Sequence, residues 1–152
     1  MVLDRSSLTA VLSDMDDVEI LARTLYGEAR GEVKTCGQQA LIAVGNVIMN
    51  RVHQGTWYGR TIRGVCLYPY QFSCWNEGDM NLGTLLRVTT DKPVFQECLE
   101  VAYAVAHMLV SDMTMGADHY FSTDMGSTPR WAHFADEKVQ IGKHRFYKMR
   151  RK

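Results

Sequence analysis

The residues best suited to acid–base chemistry lie in the run YGEARGE, from Tyr26 to Glu32. Glu28 follows Leu21 by seven residues and Leu25 by three, so a helix would place its carboxyl on the same apolar face as these leucines. The carboxyl would also lie in the last helical turn, where the helix dipole is negative. Burial and the dipole both disfavour the ionised form, so we expect a raised pKa for Glu28. A carboxyl that keeps its proton near neutral pH can serve as a general acid, for example toward a glycosidic oxygen.

The same spacing is compatible with a structural glutamate. Glu28 could be a buried side chain held by Arg30 or by a backbone amide, or an exposed side chain at a frayed helix end. Residues elsewhere in the chain therefore have to support the catalytic interpretation.

Polar and aromatic residues that could line a saccharide cleft follow later in the chain. Gln71 and Ser73 offer amide and hydroxyl groups suited to sugar hydroxyl and N-acetyl contacts, and Phe72 between them is either a cleft residue or a core plug. Trp75 and Trp131 could present apolar faces to sugars or pack in the core.

Four further residues have a preferred assignment. Tyr120 follows His119 in a predicted strand, so one of the two faces inward, and we expect Tyr120 to reach the cleft. His144 and the pair Asn50 and Arg51 are better explained by structural roles, the pair as a helix cap or loop anchor.

Other reaction classes rest on the cysteines and histidines. A cysteine peptidase or amidase would use Cys36, Cys66 or Cys74 with His119 or His144, and a zinc amidase would use His119, His133 and His144. No Cys-x-x-Cys motif or helical histidine pair supports a metal site, so we expect neither metal nor cofactor. The four cysteines are expected to be free, mostly buried thiols, with Cys66 and Cys74 the best candidates for a disulfide.

These side chains are positioned by a mostly helical chain with a small late sheet, an α+β arrangement. The patterns predict a loose N-terminal arm over residues 1–13, a first helix from Asp14 to Asp17 up to Gly31, a buried helix from Gly37 to Val52, and a third helix starting at Asp91 and Pro93. Residues 53–93 suggest loops and short helical turns, and the predicted strands are Ala117 to Ser122 and Val139 to Tyr147.

Length and composition indicate one domain, residues 1–152, with 46% apolar residues and no stretch long enough to span a membrane. We see no signal peptide and expect synthesis in the cytoplasm. The formal charge is zero, but residues 138–152 hold seven basic and no acidic residues. This basic tail is either a solvated end or a contact for an anionic envelope, and an anion-binding module is the non-enzymatic alternative. We expect a monomer without a nucleic-acid partner.

Four segments in order resemble the SleB-type cell-wall hydrolases, the catalytic domain of spore cortex-lytic enzymes. They are the Tyr26–Glu32 run, the helix from Gly37 to Asn50-Arg51-Val52, the Gln71-Phe72-Ser73 loop, and Ile141 to Tyr147. The resemblance implies a lysozyme-like α+β domain that cleaves peptidoglycan glycan strands at the β-1,4 bond between MurNAc and GlcNAc. The family's catalytic glutamate falls on Glu28. A Cys- and Trp-containing insertion from Cys74 to Leu86 departs from the family pattern.

The resemblance favours a lytic transglycosylase, in which one acid protonates the leaving oxygen and then accepts a proton as a 1,6-anhydro ring closes. A hydrolytic muramidase would need a second carboxylate. The candidates are Glu32, Asp118, Asp124 and Asp136, none of them in a convincing motif. By analogy, a one-domain enzyme of this kind resembles a phage endolysin, which reaches the cell wall through a holin to lyse the host.

Overall fold

The computed structural model describes residues 5–150, which form seven α-helices and a three-stranded sheet. The helices are α1 (Arg5–Ser13), α2 (Asp17–Ala29), α3 (Val33–Cys36), α4 (Gln38–Gln54), α5 (Ile62–Leu67), α6 (Met80–Arg87) and α7 (Pro93–Ala106). The strands are β1 (His119–Ser122), β2 (Ala135–Ile141) and β3 (His144–Met149). This is the predicted mostly helical α+β fold with a late sheet.

The prediction of a loose N-terminal arm is wrong for residues 5–13. Leu8 and Leu12 lie one helical turn apart on α1 and are buried in the main core. Arg63 donates to the carbonyl of Leu12 at 3.1 Å and also to the carbonyl of Met15, which fixes the end of α1 to α5. Residues 1–4 of the predicted arm lie outside the described part of the chain.

Helix α2 begins as predicted and ends differently. Asp16 caps it by accepting a hydrogen bond from the Glu19 amide at 2.8 Å. The predicted stop at Gly31 is wrong, because α2 ends at Ala29 and the chain continues through a 3-10 turn (Arg30–Glu32) into α3. The helical path ends only at Gly37, whose φ of 61° is readily adopted by glycine.

Helix α4 is the central element, as its nearly all-round apolar pattern predicts. Its Val44 and Ile48 lie in the core shared with α2 and α7, while Ala43 and Val47 pack against the sheet beside Phe146. The third predicted helix is α7, with Pro93 in its first turn.

The sheet has the order β1-β3-β2, with both pairs antiparallel. The predicted single strand from Val139 to Tyr147 is instead a hairpin, because Gly142 takes a φ of 59° and reverses the chain. A Cβ at position 142 would lie 2.5 Å from Glu32 Oε1, so this turn has room only for glycine.

The basic segment from residue 138 onward, which the sequence suggests is a tail, is largely strand, since it forms β3 and most of β2. Arg151 and Lys152 lie outside the described residues.

Candidate active site

Glu28 lies in the last turn of α2 and is partly buried. Its Oε1 accepts a hydrogen bond from the Tyr120 hydroxyl, with 2.6 Å between the oxygens. Burial raises the pKa of Glu28, although hydrogen bonds from Tyr120 and Cys74 act in the opposite direction. The carboxyl therefore holds its proton to higher pH than an exposed glutamate, as the helical spacing predicts.

Tyr120 comes from β1, where it pairs with Phe146 of β3. Its ring packs against His144, with centroids 4.9 Å apart, and against Phe146 at 5.5 Å. Burial and the neighbouring Glu28 carboxyl raise the pKa of Tyr120 well above its usual value. The hydroxyl thus keeps its proton and acts as a donor to Glu28.

A short turn, Ser73–Trp75, closes the other side of the acid. It approaches α2 at Gly27, where an added Cβ would lie 2.7 Å from Cys74 Sγ and 2.8 Å from Cys74 Cβ. The indole of Trp75 donates to Thr24 Oγ1 at 2.9 Å and fixes the turn to α2. Trp75 is only 7% exposed, so it is a core residue and not a sugar platform.

Arg51 lies beneath the site and is buried. Its Nε donates to the carbonyl of Asp118 at 2.8 Å, and Nη1 donates to Gln71 Oε1 at 3.4 Å. The guanidinium stacks over the rings of Tyr58 and Phe72, and its charge contributes to lowering the pKa of Glu28. The structural role expected for Arg51 is present, but the residue also acts electrostatically on the acid.

Asp79 is a further carboxylate near Glu28, and no sequence pattern predicts it for the site. It caps α6 by accepting a hydrogen bond from the Asn81 amide at 2.8 Å, and Asn81 in turn accepts one from Arg30 at 2.7 Å. Its negative charge contributes to raising the pKa of Glu28. The sequence signal at this position is that of a helix cap, and only the folded chain brings the cap near the acid.

Two of the proposed second carboxylates are held by other groups inside the protein. Glu32 Oε1 accepts from the Lys143 amide at 2.6 Å, and its Oε2 lies 2.8 Å from His144 Nδ1. Asp118 accepts from Gln54 at 2.9 Å and from the Met149 amide at 3.0 Å. Both side chains therefore stabilise the β-sheet region.

The other two proposed carboxylates lie at the surface. Asp124 pairs with Lys143 at 3.2 Å and Asp136 with Arg150 at 2.9 Å. Among the carboxylates of residues 5–150, the largest contribution to the raised pKa of Glu28 comes from Asp79 and from none of these four.

Of the three predicted cleft residues in this segment, Gln71 and Ser73 lie near the site, whereas Phe72 lies in the core. Gln71 is tied to Arg51, and Ser73 is exposed at the start of the turn that covers Glu28. Phe72 is 3% exposed and packs in the core, so we assign it to the support of the site and not to substrate contact.

Trp131 is not brought to Glu28. Its ring packs on His119 at 5.0 Å, Phe121 at 6.0 Å and Tyr147 at 5.4 Å. His119 and Phe121 point away from the face of β1 that carries Tyr120, because successive strand residues alternate. Trp131 therefore belongs to an aromatic cluster on the opposite face of the sheet.

The cysteines are free thiols, and no Cys66–Cys74 disulfide is present. Burial raises the pKa of Cys66 and of Cys98 to about 12 and raises that of Cys74 as well, so none of these three is an activated nucleophile. The histidines of the alternative zinc site are separate: His119 contacts Asp118, His144 contacts Glu32 and His133 is exposed. Across residues 5–150, no three His, Cys, Asp or Glu side chains cluster as a metal site would require.

Comparison with known proteins identifies the family. The profile of a family described as Cell Wall Hydrolase matches residues 36–147. This chain belongs to the cell wall hydrolase family. The match begins at Cys36 and therefore does not include Glu28, so the family assignment and the assignment of the acid rest on different observations.

Curated relatives of this cell wall hydrolase are spore cortex-lytic enzymes. The enzyme of Halalkalibacterium halodurans is 30% identical over 131 residues, which cover 86% of this chain and 34% of the relative. The Bacillus cereus enzyme is 30% identical over 133 residues, covering 88% and 44%. The chain thus spans less than half the length of these relatives.

Two solved structures share the fold of this cell wall hydrolase. The catalytic domain of the germination-specific lytic transglycosylase SleB from Bacillus anthracis has a TM-score of 0.62 and 29% identity, covering 87% of this chain and 93% of that one. The catalytic domain of Bacillus cereus SleB has a TM-score of 0.61 and 29% identity, covering 87% and 89%. None of the helices in the described part of the chain is long and apolar enough to cross a bilayer.

Proposed function

We propose that this cell wall hydrolase cleaves the β-1,4 bond between MurNAc and GlcNAc in peptidoglycan as a lytic transglycosylase, with Glu28 as its acid and base. The observation that carries the proposal is the environment of Glu28: a partly buried carboxyl, with a raised pKa, that accepts a 2.6 Å hydrogen bond from Tyr120. The similarity to the Bacillus anthracis SleB domain, a germination-specific lytic transglycosylase, supports the same reaction.

In the first step, protonated Glu28 donates its proton to the glycosidic oxygen as the bond to the MurNAc C1 breaks. Tyr120 and Arg51 stabilise the carboxylate that forms, because a donor at 2.6 Å and a nearby positive charge both favour the ionised form. In the second step, Glu28 accepts the proton of the muramic 6-hydroxyl as that oxygen bonds to C1. The acid is then protonated again, so the cycle needs neither water nor a cofactor.

A hydrolytic muramidase is the second candidate, and the position of Asp79 favours it. Asp79 is close enough to Glu28 to contribute to its raised pKa, and its side chain is partly exposed beside the site. A carboxylate in this position could activate water in a second-carboxylate mechanism. The two candidates differ in one product: hydrolysis adds a water molecule, whereas transglycosylation leaves a 1,6-anhydro end.

Mass spectrometry of purified sacculi digested by wild-type enzyme tests the choice. We expect anhydromuropeptides, and products carrying an added water would support the muramidase instead. Glu28→Gln should stop product formation while the melting temperature stays close to that of wild type. Substantial cleavage by a folded Glu28→Gln variant would contradict both mechanisms.

The biological setting is a further part of the proposal. We propose that the enzyme lyses a host cell from within, after synthesis in the cytoplasm and release to the wall through a holin. The basic C-terminal segment gives only weak support for a contact with the anionic envelope, because three of its basic residues are already paired with carboxylates. The pairs are Lys143 with Asp124, Arg145 with Glu137 and Arg150 with Asp136. Cytoplasmic expression with and without a holin tests this role: lysis should require both proteins and an intact Glu28.

A further inference from the structure

Three aromatic side chains pack against one another on the connections that flank α5. This aromatic platform consists of Trp57, Tyr58 and Tyr68. Trp57 is 59% exposed and Tyr68 is 36% exposed. Tyr58 is only 4% exposed and lies on the inner side of these two rings. An indole that stays exposed contributes little to folding, and adjoining exposed apolar groups commonly mark a binding surface.

The rings of the platform pack on one another. The indole of Trp57 packs on Tyr58 with ring centroids 4.4 Å apart, and it meets Tyr68 edge to face at 5.4 Å. The hydroxyl of Tyr58 donates to Gln54 at 3.3 Å, which ties the platform to α4. Because the neighbouring rings restrict Trp57, little conformational entropy would be lost when a ligand packs on its exposed surface.

The platform is also connected to the acid. Arg51 stacks on Tyr58, with 4.8 Å between its guanidinium carbon and the ring centroid. The same guanidinium contacts Gln71 and affects the pKa of Glu28. Trp57 thus packs on a ring, Tyr58, that shares the buried guanidinium of Arg51 with Gln71 and also meets His119 at 6.1 Å.

We propose that Trp57 and Tyr68 form a saccharide subsite that binds the glycan strand beyond the two sugars at the cleaved bond. The inference rests on the proposed function, because it takes a polymer of uncharged pyranose rings as the ligand. Such rings present apolar C–H faces that pack on indole and phenol rings, and their hydroxyls can accept a hydrogen bond from the indole N–H. A subsite away from the reacting bond would retain the enzyme on long strands.

Binding of a catalytically inactive enzyme to purified sacculi tests this subsite. Glu28→Gln serves as the parent, and Trp57→Ala and Trp57→Phe are introduced into it. We expect Trp57→Ala to raise the Kd about two- to twelvefold, since an aromatic contact contributes about 0.5–1.5 kcal/mol. Trp57→Phe should recover most of the loss because it keeps an aromatic face. With active enzyme, the loss should appear in KM.

The matched control is Tyr103→Ala. Tyr103 lies on α7, is 54% exposed and stacks on His107. Its substitution therefore removes a similar exposed ring and leaves the platform unchanged. A Kd unchanged by Trp57→Ala, with wild-type cleavage intact, would overturn the subsite alone. No binding of the parent and no cleavage by wild type would overturn the proposed function together with it. A concentration-dependent dimer that dissociates on Trp57→Ala would show that a second copy, and not a glycan, covers the platform.

Discussion

The hydroxyl of Tyr120 donates to Oε1 of Glu28 across 92 residues of sequence, and the two oxygens are 2.6 Å apart. This bond favours the ionised carboxyl, whereas burial favours the protonated one, and burial dominates. The tyrosine thus places the acid and limits how far its pKa rises. Such a balance suits a group that must release a proton and then recover one.

Tyr120→Phe should move the alkaline limb of the kcat/KM profile to higher pH. Removing the donor removes an effect that lowers the pKa of Glu28, so the free enzyme keeps its catalytic proton to higher pH. Peak kcat/KM should fall about tenfold, which corresponds to one hydrogen bond of about 1.4 kcal/mol. Tyr147→Phe, on the other face of the sheet, is the control. A limb that moves to lower pH in Tyr120→Phe would contradict this role.

Glu32→Gln should make the protein more sensitive to mild acid. Burial lowers the pKa of His144 from 6.5, while the charges of Glu32 and Asp124 oppose this effect. The folded state therefore binds a proton less readily than the unfolded chain, and stability falls as the pH drops through the ordinary histidine range. Losing the Glu32 charge lowers the pKa of His144 further and enlarges that fall.

Melting curves at pH 7.5 and pH 5.5 measure the effect, and each kcal/mol lost corresponds to about 2–4 °C for a chain of this size. Asp124→Asn is the matched control, since Asp124 acts on the same histidine but its side chain is 68% exposed. Its acid sensitivity should stay closer to that of wild type. Equal sensitivity of Glu32→Gln and wild type would show that the Glu32–His144 contact does not control this titration.

Gly27→Ala should destabilise the protein and reduce activity, because its new methyl group would lie 2.7 Å from Cys74 Sγ beside the acid. Overpacking of this kind costs about 1–3 kcal/mol. Gly31→Ala is the control: nothing lies within 4 Å of its Cβ position, so its stability should match or exceed that of wild type. Urea unfolding compares the two. Equal stabilities would mean that the Ser73–Trp75 turn moves aside without cost.

Iodoacetamide at pH 8 should label Cys36 in the folded protein and leave the other cysteines unmodified. Cys36 is partly exposed, whereas Cys66, Cys74 and Cys98 are buried and their raised pKa values keep them as thiols. Peptide mapping identifies the labelled site, and Cys36→Ser should show no label. Rapid labelling of Cys74 with parallel loss of activity would instead favour a cysteine mechanism.

Local signals explain the parts of the fold that could be predicted. The cap at Asp16, the proline at position 93 and the apolar pattern of α4 each act within a few residues, and all three helices begin close to the predicted residues. The sequence does not predict helix α1 because its apolar pattern extends over little more than one turn. The helix is stabilised by burial of Leu8 and Leu12 in the core. The sequence does not predict the turn at Gly142 because the alternation of apolar and polar residues in the two flanking strands continues across it.

From the residues alone, helical spacing predicts that Glu28 lies on the apolar face of α2 with a raised pKa, and that geometry depends only on neighbouring residues. The tertiary structure decided what surrounds the acid. Four separate elements supply its neighbours Tyr120, Cys74, Asp79 and Arg51. The tertiary structure also places Phe72 and Trp131 in packing contacts and not in the cleft. Contacts between elements depend on how helices and strands pack, and no periodicity within one element records that packing.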